Sequence, residues 1–245
     1  MIRGVWTMVV FGVLTLLFGL PAAIAGLFRP GGDTCNRAAR PWSRGLLAAA
    51  GARPHYHGLD NMTAALPCVF VSNHLSVVDI WVLLAVLPLS VRFAAKKSLF
   101  RWPVLGWALT TSGFVPIDRS DRANSIRSLR EASQRIRQGT SILMFPEGTR
   151  SRDGRLMPFK KGPFHLALDA GVPVVPITIR GTDRVVPPGS LRAQPGDVQV
   201  IFDAPIPVGR FRPGDVDGLR DATRDTIAAR LGEPTASRDV EGLAG

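Results

Sequence analysis

Residues 67–79 read Pro67-Cys-Val-Phe-Val-Ser-Asn73-His74-Leu-Ser-Val-Val-Asp79. An apolar, β-branched run from Cys68 to Val71 gives way to polar residues and then to a second apolar stretch, so a strand runs into a helix start with His74 in the turn. Side chains five residues apart on one helix point about 140° away from each other, because each residue turns ~100°. His74 and Asp79 therefore meet only if His74 lies in the entry turn while Asp79 is already helical and looks back toward the N-terminus. Asp79 is the only acid between Asp60 and Asp118, and Val77, Val78, Ile80, Trp81 and Val82 flank it. A carboxylate in such surroundings is costly unless paired or hydrogen-bonded. His74 is the nearest titratable partner, and a carboxylate on one ring nitrogen leaves the other to take a proton from a hydroxyl. Taken alone, the pair also reads as a buried histidine capping a helix beside an unrelated acid.

Outward from this segment, short apolar runs recur at Val91-Ala95, Phe114-Ile117, Ser141-Phe145, Val172-Ile179 and Val198-Phe202, and these read as strands. Between them lie helical patterns. In 121–138, Ile126, Leu129, Ser133 and Ile136 share a face, Asp121 opens the segment, Arg135 and Arg137 occupy its last turn and Gly139 stops it. Phe164 to Ala170, stopped by Gly171, and Val216 to Leu231, stopped by Gly232, follow the same rules. Strands alternating with helices imply an α/β domain, a layered sheet flanked by helices with much of the sheet parallel. No internal repeat is visible.

The segment Val5–Phe28 is uncharged over 24 residues, long enough to cross ~30 Å of hydrocarbon. It reads as an N-terminal membrane-anchoring helix, or, given Pro21 and several glycines, a hairpin lying in one leaflet; Ala22-Ala23-Ile24-Ala25 also leaves a cleaved signal open. Arg29, Arg37, Arg40 and Arg44 follow it against Arg3 before it, which puts the following domain on the cytoplasmic face. From Thr34 to Ala50, those arginines beside Trp42, Leu46 and Leu47 suggest a basic interfacial helix, with Pro41 expected to interrupt it. The organisation expected is 1–50 anchor and basic segment, 51–232 catalytic domain and 233–245 disordered tail. The net charge of +11 fits an anionic partner, whether nucleic acid, membrane or phosphorylated substrate. Of the 30 basic residues only four are Lys, paired as Lys96-Lys97 and Lys160-Lys161. Cys35 and Cys68 are far apart and lack metal spacing, so neither a disulfide framework nor a metal site is expected.

A second polar cluster, Phe145-Pro146-Glu147-Gly148-Thr149-Arg150-Ser151, ends another apolar strand. Gly148 permits close backbone approach, Thr149 and Ser151 offer hydroxyls, and Arg150 offers a planar fork for phosphate. A solvated Arg-rich turn is the plainer alternative, since Arg152 and Arg155 are close by. A third segment, Gly113 to Arg119, puts Arg119 beside Asp118 as either a phosphate ligand or a surface charge. A fourth, Val174-Val175-Pro176-Ile177, contains a proline suited to an edge or a strand start.

These four segments, in this order, resemble the glycerolipid acyltransferase family that includes 1-acylglycerol-3-phosphate acyltransferases; the resemblance runs from about Pro67 to Ile179. It implies a glycerol-3-phosphate acyltransferase-like fold. It implies catalysis by His74 and Asp79 with Asn73 in support, and acceptor-phosphate binding by Glu147, Gly148, Thr149 and Arg150. Arg119 contributes to the same pocket, and Pro176 marks a segment on the acyl side. Both lysine pairs fall in family-like contexts, so Lys97 and Lys160 join the anion site; Ser98 stands where many members carry Glu. The implied reaction transfers an acyl chain from acyl-CoA or acyl carrier protein to the free hydroxyl of 1-acylglycerol 3-phosphate, giving phosphatidic acid, with no cofactor and no metal. Glycerol 3-phosphate, another lysophospholipid or an acylated amino-acid lipid are alternative acceptors, and a non-catalytic lipid-binding protein is the rival class. Membrane lipids and the acyl donor are the expected partners, at the face of a membrane such as the bacterial inner membrane. Nucleic acid is not expected: there is one Tyr and no binding motif. No Gly-x-Ser-x-Gly is present and neither cysteine lies by the motifs, so a covalent serine or cysteine mechanism lacks its residues.

Overall fold

The computed structural model describes residues 2–21, 24, 34–103, 105–118, 122–190 and 192–235. Among these, the strands are β1 (Ala52–His57), β2 (Val69–Ser72), β3 (Val91–Lys96), β4 (Val115–Ile117), β5 (Ser141–Met144), β6 (Val174–Arg180) and β7 (Gly196–Phe202). The helices are α1 (Ile2–Leu14), α2 (Thr34–Ala50), α3 (Leu59–Ala64), α4 (Val78–Val86), α5 (Leu105–Thr111), α6 (Arg122–Arg137), α7 (Gly162–Ala170), α8 (Thr182–Val185) and α9 (Val216–Leu231). The chain divides into two compact units of interleaved segments: Met1–His55, Ser76–Ser128 and Gly181–Val198 form the first, and Tyr56–Leu75, Leu129–Arg180 and Gln199–Gly245 the second.

In the second unit β2 runs parallel to β5, with Val69 opposite Ile142, and parallel to β6, with Val69 opposite Val174. β7, of which Gln199–Phe202 belong to this unit, pairs antiparallel with β6, Ile177 facing Phe202; in the strand order β1 is next to β7. The α/β class expected from the sequence is the class found. β2 and β5 are buried at every position, which is why they read as continuous apolar runs rather than alternating ones. Phe70, Leu143, Phe164, Ile177 and Ile179 form the centre of this core. α7 opens with Pro163 and ends at left-handed Gly171, and α9 starts where Asp215 accepts the Gly218 amide, 2.9 Å, and stops at left-handed Gly232.

Pro176 occupies the interior strand β6, not an edge. Val174 N–H and C=O bond to Ile206, 3.0 and 2.7 Å, and the Asp203 N–H donates to Pro176 O, 3.0 Å. Alternation turns the Pro176 nitrogen to the same side, where β7 has ended at Phe202 and residues 203–205 carry no ladder, so no hydrogen bond is forfeited. β1 went unread because Ala52-Arg-Pro-His-Tyr-His57 is polar at alternate positions and carries Pro54, as an edge strand does.

In the first unit β3 and β4 pair in parallel, Ala94 opposite Val115, with Phe93 stacked on Phe114. α1 packs on α2: the Trp42 indole N–H donates to Thr15 Oγ1, 3.1 Å, and Phe11 meets the same ring edge-on. α2 is continuous through Pro41, contrary to expectation. A proline in a helix interior costs ~3 kcal/mol. Three side chains at four-residue spacing offset it: Asn36 donates to Leu89 O (2.9 Å), Arg40 to Leu87 O (2.8 Å) and Arg44 to Ala85 O (3.4 Å). These acceptors lie at and just past the C-terminus of α4, where cations are favoured. Arg40 and Arg44 thus hold a helix end, while Leu46, Leu47 and Ala50 are buried. Such bonds contribute about 1 kcal/mol each and a buried Leu about 1.5–3, so packing outweighs the proline.

Among the described residues no helix is long and apolar enough to cross a membrane. The 13-residue α1 passes into a π turn at Thr15–Gly19, beyond which helical backbone continues to Pro21. The remainder of the apolar segment falls largely outside the described residues, as does 236–245 of the expected tail.

Candidate active site

β2 ends where Asn73 takes over its bonding. The buried Asn73 amide donates to Ile179 O, 2.9 Å, and accepts the Ile179 N–H, 2.8 Å, so a side chain extends the ladder by one step and frees the backbone to turn. His74 follows in that turn, as the sequence required, and its backbone is gripped on both sides by the loop after β5. Its N–H donates to Glu147 Oε1, 2.7 Å, and its C=O accepts the Ser151 N–H, 2.8 Å. Its ring stacks on Phe145 with centroids 4.0 Å apart, which limits rotation. Glu147, 3% exposed, uses its second oxygen to accept the Met157 N–H, 3.1 Å.

Asp79 sits in the first turn of α4, wholly buried. Its carboxylate accepts the Ser76 N–H, 2.8 Å, and the Thr182 hydroxyl. The acid that looked costly in the sequence is thus hydrogen-bonded at a helix N-terminus, where negative charge is favoured. Thr182 follows Gly181, whose φ of +86° no side chain could share, since a Cβ would lie 2.5 Å from Asp197 O.

Gly148 is buried with φ +76°, and a Cβ there would lie 2.8 Å from Lys160 Nζ. Lys160 therefore crosses the Gly148 backbone, while Thr149 and Arg150 reach solvent. The loop closes on Asp153, which accepts the Arg155 N–H and the Ser151 hydroxyl at 3.1 and 3.0 Å. Those bonds, the backbone one foremost, hold its carboxyl below the usual carboxylate range.

Within the second unit, then, His74, Glu147, Gly148 and Lys160 meet around one loop. Lys97 belongs to the first unit and donates to Asp118, 3.0 Å. Arg119 lies outside the described residues. Sequence reasoning missed Thr182, the backbone role of Glu147 and the Phe145 stack, which depend on approaches across 70 or more positions with no local pattern. Among the described residues no group of three or more His, Cys, Asp or Glu could hold a metal ion. Cys68 is buried, and burial pushes its thiol up to about 12, so it is no thiolate nucleophile.

A family model described as Acyltransferase matches residues 53–180. A chloroplastic 1-acyl-sn-glycerol-3-phosphate acyltransferase of Brassica napus is 42% identical over 192 residues, which cover 76% of this chain and 54% of that protein. One from Arabidopsis thaliana is 37% identical over 217 residues, 84% and 59% of the two chains. The chain therefore spans somewhat over half the length of these curated relatives. The crystal structure of the 1-acyl-sn-glycerophosphate (LPA) acyltransferase PlsC from Thermotoga maritima superposes with a TM-score of 0.77 at 25% identity, over 100% of this chain and 97% of that one.

Proposed function

The chain belongs to the acyltransferase family, and we propose that it acylates the free hydroxyl of 1-acylglycerol 3-phosphate to give phosphatidic acid, drawing on acyl-CoA or acyl carrier protein. The observation that carries this reading is the clamp on His74: the loop bearing Arg150 and Lys160 holds His74 by both its N–H and its C=O. A base and an anion-binding loop fixed to one another suit an acceptor that presents a hydroxyl and a phosphate on one small molecule. The Brassica and Arabidopsis relatives are 1-acyl-sn-glycerol-3-phosphate acyltransferases, which supports the same substrate.

In this proposal His74 is the general base and Asp79 its orienting partner. The acceptor oxygen attacks the thioester carbonyl as its proton passes to His74. The new C–O bond forms, the C–S bond breaks, and His74 returns the proton to the departing thiolate. Arg150 supplies a fork and Lys160 a point charge for the acceptor phosphate, with Thr149, Arg119 and Lys97 as further ligands. Glu147 contributes by bracing the loop, since both of its oxygens are bonded to backbone amides. α1 and the π turn after it expose Trp6, Val9, Val13, Leu16 and Leu17, a surface suited to contact with the bilayer that holds the substrate.

The test is acyl transfer by purified protein, crossing lysophosphatidate, glycerol 3-phosphate and a phosphate-free monoacylglycerol with both donor types. Lysophosphatidate is expected to be the preferred acceptor. Preference for another acceptor overturns the substrate assignment, and no transfer to any overturns the activity.

A further inference from the structure

We propose that Glu233, one residue beyond the stop of α9, is a positioning residue for His74, acting through the loop at Leu156 and Met157; this rests on the general-base reading of His74. Its carboxylate accepts the Leu156 N–H with both oxygens, 2.9 and 3.1 Å. The next amide, Met157 N–H, goes to Glu147, whose other oxygen holds the His74 N–H. Two carboxylates thus grip consecutive amides, one anchored to a helix end and the other to the base.

Glu233 sits where an acid is otherwise disfavoured. An acid just past a helix C-terminus faces the negative end of the macrodipole. The backbone holds it there all the same: the Gly232 N–H bonds Ala229 O, 3.2 Å, and the Glu233 N–H bonds Ala228 O, 2.9 Å, a left-handed stop that leaves the side chain little freedom of approach. Leu156 is buried at 7% exposure, so its amide without Glu233 would lack a partner in a poorly hydrated place. A local rule is broken at Glu233, and the compensating contact leads to the catalytic base. The expectation of a disordered tail beginning at 233 thus meets an engaged residue at its first position.

A merely structural Glu233 would fasten α9 without touching turnover, and the two cases separate by experiment. Full-length protein and Glu233→Ala and Glu233→Gln variants are compared by amide hydrogen exchange across 150–160, thermal melting and steady-state kinetics on lysophosphatidate. In Glu233→Ala the Leu156 and Met157 amides should exchange about tenfold faster or more, as expected for loss of a charge-assisted bond. Its kcat should fall roughly tenfold, because ~1 Å of misplacement at a reacting group can cost up to 10²-fold, with both KM values nearly unchanged. Glu233→Gln keeps an acceptor oxygen and should recover most of both losses. A freed loop with wild-type kcat overturns the proposal, as does unchanged exchange or a loss confined to KM. Should Glu233→Ala fail to fold, Glu233→Asp withdraws the carboxylate by one methylene, and wild-type kcat with faster Leu156 exchange overturns the proposal equally. Wild-type protein inert on lysophosphatidate would instead overturn the functional reading, while the exchange data still decide whether Glu233 holds the loop.

Discussion

At the scale of single residues, the placement of the proposed pair was legible because two unlike constraints coincide in one short segment. An apolar strand ending in Asn73-His74 is followed by a lone acid in an apolar helix start, and the structure puts His74 in the non-helical entry and Asp79 in the first helical turn. What surrounds them was not legible: Thr182 reaches Asp79 from 103 positions away. His74→Ala should lower kcat by roughly 10²–10⁴, the usual contribution of a general base, with circular dichroism unchanged; a folded variant keeping a tenth of its rate removes His74 from that role. Arg150 tests the acceptor site. It is exposed, so its replacement leaves packing intact. Arg150→Ala should raise KM or cut kcat/KM by about one to two orders of magnitude for lysophosphatidate, as loss of a charge-assisted fork implies, and should spare a phosphate-free lysolipid. Equal loss on both acceptors would assign Arg150 to the donor or to structure. Arg150→Lys keeps charge without the fork and should fall between.

At the scale of elements, periodicity located six of the seven described strands and helices α2, α6 and α7 to within two residues, and α9 at both ends, because Gly232 stops it as Gly must in a left-handed position. It failed where tertiary bonding overrules local preference, as at Pro41 in α2 and Pro176 in β6. It also failed at β1, whose polar alternation is that of an edge. That edge carries its own electrostatics: Arg53 forks Asp197 of β7 at 2.9 Å through both oxygens, and His55 adds a contact at 3.1 Å. The Arg53 hydrogen bond first, then that of His55, holds the Asp197 carboxyl well below the usual range. A depressed folded value means stability that is fully present above the unfolded value of ~3.9 and is lost as pH falls through the folded one. Asp197 is about half exposed, so solvent screens the gain. Asp197→Asn should therefore melt only a few degrees below wild type at neutral pH, with the gap closing below pH ~3. A gap constant down to the acid end, seen in Tm against pH, would mean shape rather than charge.

At the scale of the whole molecule, the proposed contact with an anionic bilayer would draw on two additive forces, the net charge of +11 and the exposed apolar side chains of α1 and the π turn after it. The two separate experimentally because salt weakens one and leaves the other. Removing residues 1–50 would not separate them, because α2 buries Leu46, Leu47 and Ala50 and holds the end of α4 through Arg40 and Arg44, so the loss would be one of folding. The informative change is confined to the π turn after α1. Leu16 and Leu17 are 58% and 61% exposed, so burying the rest of each in lipid is worth about half of the 1.5–3 kcal/mol for a whole side chain, or roughly fivefold in affinity apiece. Leu16→Asn with Leu17→Asn should weaken binding to vesicles containing phosphatidylglycerol by more than tenfold at both low and high salt, with the melting temperature unchanged. Turnover on a short-chain, water-soluble lysophosphatidate should stay near wild type, because the substrate no longer has to be collected from a bilayer. Unchanged vesicle binding would transfer the membrane contact to exposed Trp102 and Trp107, beside Lys96 and Arg101. A fall in turnover on the soluble substrate would mean that this segment does more than hold the protein at the bilayer.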